Sequence, residues 1–398
     1  METIKILFYI SLAIMGYTYI GYPIILFFLK TIKKEKLIPQ LSNEDLPEIT
    51  HVIAAYNEED IMEDKINNCI NIDYPSSLVT TIIVTDGSSD GTNKIIKKYP
   101  NVKCYFQPER NGKLAAVDRV MHEVATEITI FSDANAMLNS ASLKNMVRHF
   151  QSNMVGAVAG EKVVLQEQED DAAGTGEGLY WKYESKLKQW DYQAGSVVGA
   201  AGELFAIRTS LYEKPVGNIL IEDFVMTMKI AANGHIVAYE KEAQAMEVSS
   251  ASINEELKRK VRISAGGLQA IWLLKGLLNP FKHGILTFQY ISHRAFRWTL
   301  APLAMVLIFL TNIILLFEGF GVFAFIMIGQ GLFYAAALAG YYFEDRKMRV
   351  KAFFVPFYFT FMHLNVFHGF IKLMSGNFDV KWEKAERKRQ KLSKMSIS

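Results

Sequence analysis

The stretch TTIIVTDGSSDG, residues 80–91, joins a run rich in β-branched residues to a cluster of turn formers. The run predicts a buried strand, and the five residues from Gly87 to Gly91 predict the turn that ends it. Similar patterns on both sides predict strands at 49–56, 102–107 and 127–134 and helices at 58–72, 92–99 and 113–125. This alternation predicts a mostly parallel sheet covered by helices, and such sheets bind ligands at the carboxyl ends of their strands.

The composition of the 398-residue chain separates a soluble-looking middle from apolar ends. Half of the residues are apolar, and they gather at residues 4–29 and again beyond about residue 296. A net charge of +2 gives no global reason to expect a nucleic-acid partner. Cys69 and Cys104 have no partner at metal-ligand spacing, and so few cysteines fit a reducing compartment. We therefore expect a soluble domain held between membrane segments.

The first apolar run, residues 4–29, is long enough to cross a bilayer, which takes about 20 residues. A signal peptide is the alternative, but its apolar region is shorter, about 7 to 15 residues, and ends at a small-residue cleavage site. Four lysines follow the run within a few residues: Lys30, Lys33, Lys34 and Lys36. The positive-inside rule then places the following domain in the cytosol and the N-terminus outside.

The chain beyond residue 250 has the patterns of a membrane protein. Its first part mixes basic, aromatic and apolar residues, as interfacial amphipathic helices do. Residues 297–318 and 320–343 predict two spans. Residues 352–374 are also apolar, but a third full span there would place a strongly basic tail outside, against the charge rule. We favour a re-entrant or interfacial segment at 352–374, in a multi-pass protein of the plasma (inner) membrane.

The sequence therefore predicts five regions. They are a transmembrane helix at 1–30, an α/β domain at 45–250, interfacial helices at 251–296, a membrane region at 297–375 and a basic tail at 376–398.

Polar residues with oxygen ligands follow two of the predicted strands. Asp86 ends the strand at 80–86, where its carboxylate can accept hydrogen bonds from a base or a ribose. Asp133 and Asn135 end the strand at 127–134 and offer the hard oxygen ligands that Mg²⁺ or Mn²⁺ takes. Turn capping is the alternative in both places, because Asp and Asn cap turns readily.

Three further clusters carry charge at helix starts or in a basic run. Asp223 follows Glu222 at the start of an amphipathic helix, so it either caps that helix or acts as a general base. Lys113 stands before a helix, where it can face a phosphate or remain a solvated lysine. A run that includes Arg259 and Arg262 suits either an interfacial helix beside anionic lipid or a clamp on a diphosphate.

Taken in order, these segments resemble glycosyltransferase family 2, the GT-A fold enzymes that include the membrane synthases of poly-N-acetylglucosamine, hyaluronan and cellulose. The resemblance covers about residues 48–270. The matching segments are Ala54-Ala55-Tyr56-Asn57-Glu58, Asp86-Gly87-Ser88-Ser89-Asp90-Gly91-Thr92, Asn111-Gly112-Lys113, Asp133-Ala134-Asn135, Gly199-Ala200-Ala201-Gly202-Glu203-Leu204-Phe205-Ala206-Ile207-Arg208 and Glu222-Asp223.

This resemblance implies an inverting transfer from a nucleotide-sugar donor, of the UDP-sugar class, to a saccharide or lipid-linked acceptor, with a divalent cation. The implied catalytic base is Asp223, and the implied metal ligands are Asp133 and Asn135. The implied donor-binding residues are Ala55, Tyr56, Glu58, Asp86, Lys113, Asp133, Arg259 and Arg262. The implied acceptor-binding residues are Gly202, Glu203 and Glu222. The resemblance also leaves room for an accessory subunit and for contact with the lipid bilayer.

Two departures from the family pattern leave the product open. Processive synthases carry Q-x-x-R-W where this chain has Arg259-Lys260-Val261-Arg262-Ile263, so the tryptophan that stacks on the acceptor sugar is missing. In addition, the sequence has one predicted N-terminal span, and polymer channels of this family usually use more spans. Polysaccharide synthesis is the first expectation, and single-sugar transfer to a lipid-linked acceptor is the alternative. A membrane protein that binds a nucleotide without turnover is a third, more remote reading.

Overall fold

The structure, a computed structural model, describes residues 1–33, 36, 38–165, 172–248, 252–318, 321–345 and 351–376. These residues form two compact units. The α/β unit consists of the described residues within 34–165 and 188–250, and the helical unit of those within 1–33, 166–187 and 251–378. The sequence had not distinguished residues 172–187 from the α/β domain. Residues 377–398, nearly all of the predicted basic tail, lie outside the described residues.

The helices are numbered here in chain order. They are α1 Glu2–Gly16, α2 Tyr22–Ile32, α3 Glu59–Ile70, α4 Thr92–Ile96, α5 Lys113–Met121, α6 Ser142–Val147, α7 Ala172–Ala194, α8 Glu222–Ala232, α9 Ile253–Leu273, α10 Pro280–His283, α11 Ile285–Tyr290, α12 Phe296–Trp298, α13 Leu300–Leu315, α14 Val322–Asp345 and α15 Lys351–Met374.

The described chain contributes eight strands to the sheet of the α/β unit. They are β1 Ile49–Ala55, β2 Val79–Asp86, β3 Val102–Gln107, β4 Ile128–Asp133, β5 Met137–Leu138, β6 Val155–Leu165, β7 Leu204–Arg208 and β8 Ile236–Val248. Across the sheet they lie in the order β3-β2-β1-β4-β7-β6-β8-β5. β1 pairs in parallel with β2 and β4, β2 with β3, and β6 with β8, whereas β7 and β5 run antiparallel to their neighbours. The prediction of a mostly parallel sheet is confirmed.

The parallel part of the sheet is centred on β1, in which all seven residues are buried. A strand covered on both faces can carry apolar residues at consecutive positions, as residues 52–55 of β1 do. On one face, Ile53 of β1 packs in a core cluster with Met62 and Ile66 of α3. Burial of one such side chain contributes about 1.5–3 kcal/mol, so this core fixes α3 against the sheet.

The ends of β1, β2 and β4 lie at one edge of the sheet. The strand register pairs Ala55 with Thr85 across β1 and β2, and Ala54 with Asp133 across β1 and β4. Asp86 is the last residue of β2, and Asp133 is the last residue of β4. The parallel arrangement therefore places the polar residues that follow these strands close to one another.

The helical unit contains the candidate membrane spans. Among the described residues, two helical stretches are long and apolar enough to cross a membrane, Glu2–Ile32 and Val322–Phe343. The first of them consists of α1 and α2, joined by a π-helical turn at Tyr17–Gly21. The stretch Ile285–Trp298 consists of α11 and α12, joined by a π-helical turn at Ile291–Ala295. It meets Leu300–Leu315 at a bend of 50°, and the bent pair adds a third span if it crosses the membrane as one. Lys351–Met374 is not among these candidates, and its re-entrant or interfacial character stays a prediction.

A buried cluster of charges lies in the helical unit. Glu184 of α7 is almost fully buried, and its Oε1 lies 2.7 Å from Nη2 of Arg294 and 3.2 Å from Nε2 of His293. Its Oε2 accepts a 2.9 Å hydrogen bond from Nη1 of Arg297. Burial raises the pKa of Glu184, but Arg294 and His293 outweigh this effect and hold the pKa well below its ordinary value. Glu184 is therefore ionised and is the negative centre of this cluster.

Candidate active site

Lys113 lies at the centre of a cluster of carboxylates in the α/β unit. It is the first residue of α5 and follows Gly112, whose φ of +90° is a conformation that glycine adopts without strain. Nζ of Lys113 lies 2.5 Å from Oδ1 of Asp133 and 3.6 Å from Oε1 of Glu222. The lysine therefore joins a residue at the end of β4 to a residue at the start of α8.

Asp223 and Gly202 belong to the same cluster. A Cβ atom built on Gly202 would lie 3.3 Å from Oδ2 of Asp223 and 2.8 Å from Nζ of Lys113. A side chain at position 202 would therefore press on both charged groups. The predicted base Asp223, the predicted acceptor residues Gly202 and Glu222 and the donor-side Lys113 thus lie together. Their assigned roles stay predictions.

The charges of this cluster shift the pKa values of its members. Burial and the neighbouring carboxylate of Glu222 raise the pKa of Asp223 to about 7, although Lys113 opposes the shift. A carboxylate with a pKa near the operating pH is suited to general base catalysis. Burial lowers the pKa of Lys113, but the carboxylates of Asp133, Glu222 and Asp223 outweigh it and raise the pKa above its ordinary value. Lys113 therefore stays charged.

The pair Asp133 and Asn135 offers oxygen atoms to a cation. Both side chains are half-buried and alternate with the buried Ala134 and Ala136. Lys113 occupies Oδ1 of Asp133, and Nδ2 of Asn135 donates to Glu247. Within the described part of the chain, Oδ2 of Asp133 and Oδ1 of Asn135 accept no hydrogen bond. These two oxygen atoms, which are hard ligands, are therefore available to bind a cation.

The protein alone supplies few ligands for a metal ion. In the part of the chain that the structure describes, no group of three or more His, Cys, Asp and Glu side chains could hold a metal. The residues present fit Mg²⁺ or Mn²⁺ if the remaining ligands come from a bound diphosphate and water, which is how Mg²⁺ is commonly held. The acidic excess around Lys113 also means that an anionic diphosphate needs a cation here.

Asp86 holds the loop that carries Lys113. Its side chain is fully buried, Oδ1 accepts a 2.8 Å hydrogen bond from the backbone N–H of Asn111, and Oδ2 accepts one of 2.8 Å from the backbone N–H of Gly112. The carboxylate therefore ties the end of β2 to the start of α5. This contact is a structural reason for an aspartate at position 86, and its predicted contact with the donor stays a prediction.

The remaining residues predicted after β1 lie near the same edge. Ala55 is fully buried, so a contact with a donor would be made through its backbone. The guanidinium group of Arg110 stacks on the ring of Tyr56, 3.8 Å from the ring centre. The backbone N–H of Glu58 donates a 2.9 Å hydrogen bond to Oγ1 of Thr92. The stacking by Arg110 was not foreseen, because sequence spacing gives no sign of it.

Glu203 and Asn135 are linked by charged residues that sequence reasoning missed. Lys162 of β6 is buried and pairs with Oε1 of Glu203 and, at 2.7 Å, with Oε2 of Glu247. Oε1 of Glu247 in turn accepts a 3.1 Å hydrogen bond from Nδ2 of Asn135. The signal that could have revealed this network was Lys162, a lysine close to the apolar residues of β6, since lysine is almost never fully buried unless it is paired.

Arg259 and Arg262, predicted to bind the donor, lie on α9 in the helical unit. Nε of Arg259 donates a 3.0 Å hydrogen bond to Oε2 of Glu256, one turn earlier in the same helix. Pairs three residues apart on a helix contribute only a few tenths of a kcal/mol. The predicted contact of the two arginines with a diphosphate stays a prediction.

The sheet and its strand-end acidic residues define the GT-A class of glycosyltransferase folds. The solved structure of mannosyltransferase PcManGT from Pyrobaculum calidifontis, in complex with GDP-Man and Mn²⁺, superposes with a TM-score of 0.69. The match covers 94% of this chain and 100% of that chain, at 20% sequence identity. At this identity the likeness shows the fold alone, and the predicted GT-A fold is confirmed.

The sequence model of the family described as "Glycosyltransferase like family 2" matches residues 47–266, which is more than half of the chain. The chain therefore belongs to glycosyltransferase family 2 and is a glycosyltransferase. The resemblance inferred from the strand-end motifs is confirmed.

Relatives within this family include makers of polysaccharide and of glycolipid. The chain is 25% identical over 378 residues to the probable glycosyltransferase YdaM of Bacillus subtilis (strain 168), covering 87% of this chain and 88% of that protein. It is 24% identical over 244 residues to the poly-beta-1,6-N-acetyl-D-glucosamine synthase of Staphylococcus aureus (strain MSSA476), covering 58% of each. It is 30% identical over 169 residues to the beta-monoglucosyldiacylglycerol synthase of Trichormus variabilis (strain ATCC 29413 / PCC 7937), covering 40% of this chain and 34% of that protein.

Proposed function

We propose that the protein is a membrane-bound inverting glycosyltransferase that moves a sugar from a UDP-sugar to an acceptor hydroxyl. The observation that carries this proposal is the cluster in which Lys113, Asp133, Glu222 and Asp223 meet beside Gly202. A cationic side chain, a pair of oxygen ligands and a carboxylate with a raised pKa are what a transfer from a nucleoside diphosphate requires. The two candidate spans of the helical unit support a membrane location.

In the proposed reaction, Asp223 takes the proton from the acceptor hydroxyl. The acceptor oxygen then attacks the anomeric carbon, the bond from that carbon to the diphosphate oxygen breaks, and the configuration inverts. Lys113 stays charged and lies where it can neutralise the leaving diphosphate. A divalent cation bound at Asp133 and Asn135 would supply further positive charge to the same leaving group. Gly202 leaves room for the acceptor beside the base.

We further propose a saccharide acceptor in the synthesis of a cell-surface polysaccharide, with the α/β unit on the cytosolic side of a multi-pass inner-membrane protein. Similarity to poly-beta-1,6-N-acetyl-D-glucosamine synthase over 58% of this chain supports this acceptor class. The second candidate is transfer of one sugar to a lipid-linked acceptor. It is favoured by Ile263, which stands where processive synthases have an acceptor-stacking tryptophan.

The experiment that tests this proposal uses membranes that contain the full chain. Radiolabelled UDP-sugars, and GDP-sugars as the alternative donor class, are supplied with Mg²⁺ or Mn²⁺, and the products are separated by size. We expect transfer from a UDP-sugar that stops on chelation of the metal. A polymeric product supports the saccharide acceptor of polysaccharide synthesis. A single added sugar in the lipid fraction supports transfer to a lipid-linked acceptor. Absence of transfer from every donor contradicts the proposed function.

The matched variant is Asp223→Asn, which keeps the shape of the side chain and removes the base. We expect it to bind UDP as the wild type does and to lose about 1,000-fold in kcat, since removal of a general base costs about 100- to 10,000-fold. Wild-type transfer by Asp223→Asn would overturn the proposed mechanism. Glu213→Gln, an exposed position in the same unit, is the control that should leave the rate unchanged.

A further inference from the structure

Lys65 of α3 is a buried lysine that the proposed reaction does not use. Its side chain has no exposed surface, and its Nζ donates hydrogen bonds to Oγ of Ser132, at 2.9 Å, and to the backbone oxygen of Ala136, at 2.6 Å. A fully buried lysine is rare because removing its charge from water is costly. The two acceptors stand on either side of Asp133 and Asn135 in the sequence, so Lys65 holds both ends of that short segment.

The segment between these acceptors is a tight turn. The backbone N–H of Ala136 donates a 3.2 Å hydrogen bond to the backbone oxygen of Asp133, which closes the turn Asp133–Ala136. Asp133 and Asn135 both belong to this turn. A shift of either end would therefore move both oxygen ligands together.

A second buried contact also supports Ser132. Nε2 of His51 lies 2.8 Å from Oγ of Ser132, and Nδ1 of His51 lies 3.9 Å from Sγ of Cys69. Lys65 can only donate, so Oγ of Ser132 accepts from it, and the hydroxyl proton is then free to go to His51. Burial and the nearby Lys65 hold the pKa of His51 well below its ordinary value, so the imidazole is neutral and able to accept.

The turn is also held by Glu247 of β8. Oε1 of Glu247 accepts the 3.1 Å hydrogen bond from Nδ2 of Asn135, and Oε2 is paired with Lys162 at 2.7 Å. Only the amide nitrogen of Asn135 can donate to a carboxylate, so this contact fixes which atom of the amide faces Glu247. The amide oxygen therefore faces away from Glu247 and is available as a ligand.

We propose that Lys65 and Glu247 are positioning residues that hold the turn Asp133–Ala136, and with it the oxygen ligands of Asp133 and Asn135, in the arrangement that binds a divalent cation with the donor diphosphate. This inference rests on the proposed function. Neither residue touches the reacting atoms. Lys65 fixes the ends of the turn, and Glu247 fixes the orientation of the Asn135 amide.

The test measures Mn²⁺ binding by the purified full chain, from the electron paramagnetic resonance signal of free Mn²⁺, with and without UDP. Lys65→Met keeps the length of the side chain and removes its donors. We expect it to weaken Mn²⁺ binding in the presence of UDP by about 10-fold, in line with other residues that orient metal ligands. Lys94→Met, an exposed lysine of α4, is the matched control and should bind Mn²⁺ as the wild type does.

Two further readouts separate positioning from loss of folding. Hydrogen exchange in the ligand-free protein should quicken in peptides that cover residues 132–138 of Lys65→Met and stay unchanged elsewhere in the α/β unit. In transfer assays, the Mn²⁺ concentration for half-maximal rate should rise about 10-fold, while kcat at saturating Mn²⁺ changes less than about 3-fold. If Lys65→Met does not fold, Ser132→Ala removes one of the two acceptors of Lys65 and should weaken Mn²⁺ binding by about 3-fold.

The role of Glu247 is tested by a double-mutant cycle. In Glu247→Gln, the new amide group no longer fixes the orientation of the Asn135 amide, which can then flip. Asn135→Ala removes the ligand oxygen altogether. If Glu247 acts through Asn135, the effects of the two substitutions on Mn²⁺ binding will not add, because each of them removes the same ligand, the amide oxygen of Asn135. Additive effects would overturn this part of the proposal.

The outcomes distinguish this inference from the function on which it rests. A wild-type protein that neither binds Mn²⁺ with UDP nor transfers sugar contradicts the proposed function, and the inference fails with it. A wild type that does both, together with Lys65→Met and Ser132→Ala variants of unchanged Mn²⁺ affinity, overturns the inference and leaves the proposed function standing.

Discussion

The carboxylate of Asp86 accepts a 2.8 Å hydrogen bond at Oδ2 from the backbone N–H of Gly112, the residue that precedes Lys113. Its Oδ1 accepts a second bond of 2.8 Å from the backbone N–H of Asn111. A single buried side chain thus satisfies two successive backbone donors at the start of α5. The position of Lys113, and therefore of the carboxylate cluster around it, depends on this contact.

The variant Asp86→Asn should damage both folding and transfer. Its amide group replaces one acceptor by a donor and leaves one backbone N–H without a partner, which costs about 1–3 kcal/mol of unfolding free energy. We also expect at least a 10-fold loss of kcat/KM, since the loop that carries Lys113 is released. Heat denaturation and transfer assays measure the two effects. Glu213→Gln, at an exposed position in the same unit, should change stability by less than about 0.5 kcal/mol.

The pH dependence of transfer should report the raised pKa of Asp223. Burial and the carboxylate of Glu222 raise that pKa to about 7, and a protonated Asp223 cannot accept a proton. We therefore expect kcat/KM to rise with pH through about 7 and then to level off. The measurement is kcat/KM between mildly acidic and mildly basic pH at saturating Mn²⁺.

The variant Glu222→Gln tests the cause of that shift. It removes a negative neighbour, which favours the ionised form of Asp223 and lowers its pKa. The acid limb of the kcat/KM profile should then move to lower pH, whatever happens to the maximal rate. Glu213→Gln should leave the limb in place. An unmoved limb in Glu222→Gln would show that Glu222 does not act on Asp223.

The space beside Gly202 should be needed for transfer and dispensable for folding. In Gly202→Ala, the new methyl group meets Nζ of Lys113 at 2.8 Å and Oδ2 of Asp223 at 3.3 Å. The lysine end is flexible and can move away, so the protein should fold with an unfolding midpoint close to that of the wild type. We expect kcat/KM to fall about 10-fold because Lys113 is displaced from the cluster. Gly276→Ala, where the added methyl group meets open space, should transfer sugar at the wild-type rate.

The strand-end part of the site could be read from the sequence because parallel sheets obey a simple rule. Runs rich in β-branched residues such as 80–86 mark strands, and the residues that follow parallel strands meet at one edge. This rule predicted that Asp86 and Asp133 would lie at the same edge, and the strand register agrees. The seven strands and α-helices from β1 to β4 have the type and order that the sequence predicted.

The side-chain partners could not be read in the same way. Lys65 lies in a helix with mixed polar and apolar residues, where spacing does not show that its ammonium group reaches Ser132. The antiparallel insertion of β7 between β4 and β6 joins segments that are far apart in the chain, so the contact between Lys162 and Glu203 follows from topology alone. Local patterns carry no information on such contacts.

The helical unit offers a last prediction, on stability. Glu184 is the negative centre of a buried cluster with His293, Arg294 and Arg297, so Glu184→Gln removes the carboxylate that the two arginines share. Loss of one partner from a buried ion cluster costs about 3–5 kcal/mol, far more than loss of an exposed pair. We therefore expect a large drop in the unfolding midpoint of purified protein heated in detergent.

The matched control is Glu2→Gln, because Glu2 also pairs with a cation, Lys5 at 3.3 Å, but has a side chain that is 84% exposed. Its loss should change the midpoint very little, since exposed pairs contribute about 0–1 kcal/mol. Arg294→Leu, added to Glu184→Gln, should restore part of the lost stability, because it removes one of the uncompensated charges. Equal midpoints for Glu184→Gln and Glu2→Gln would mean that water reaches the arginines around position 184 and that this cluster does not stabilise the helical unit.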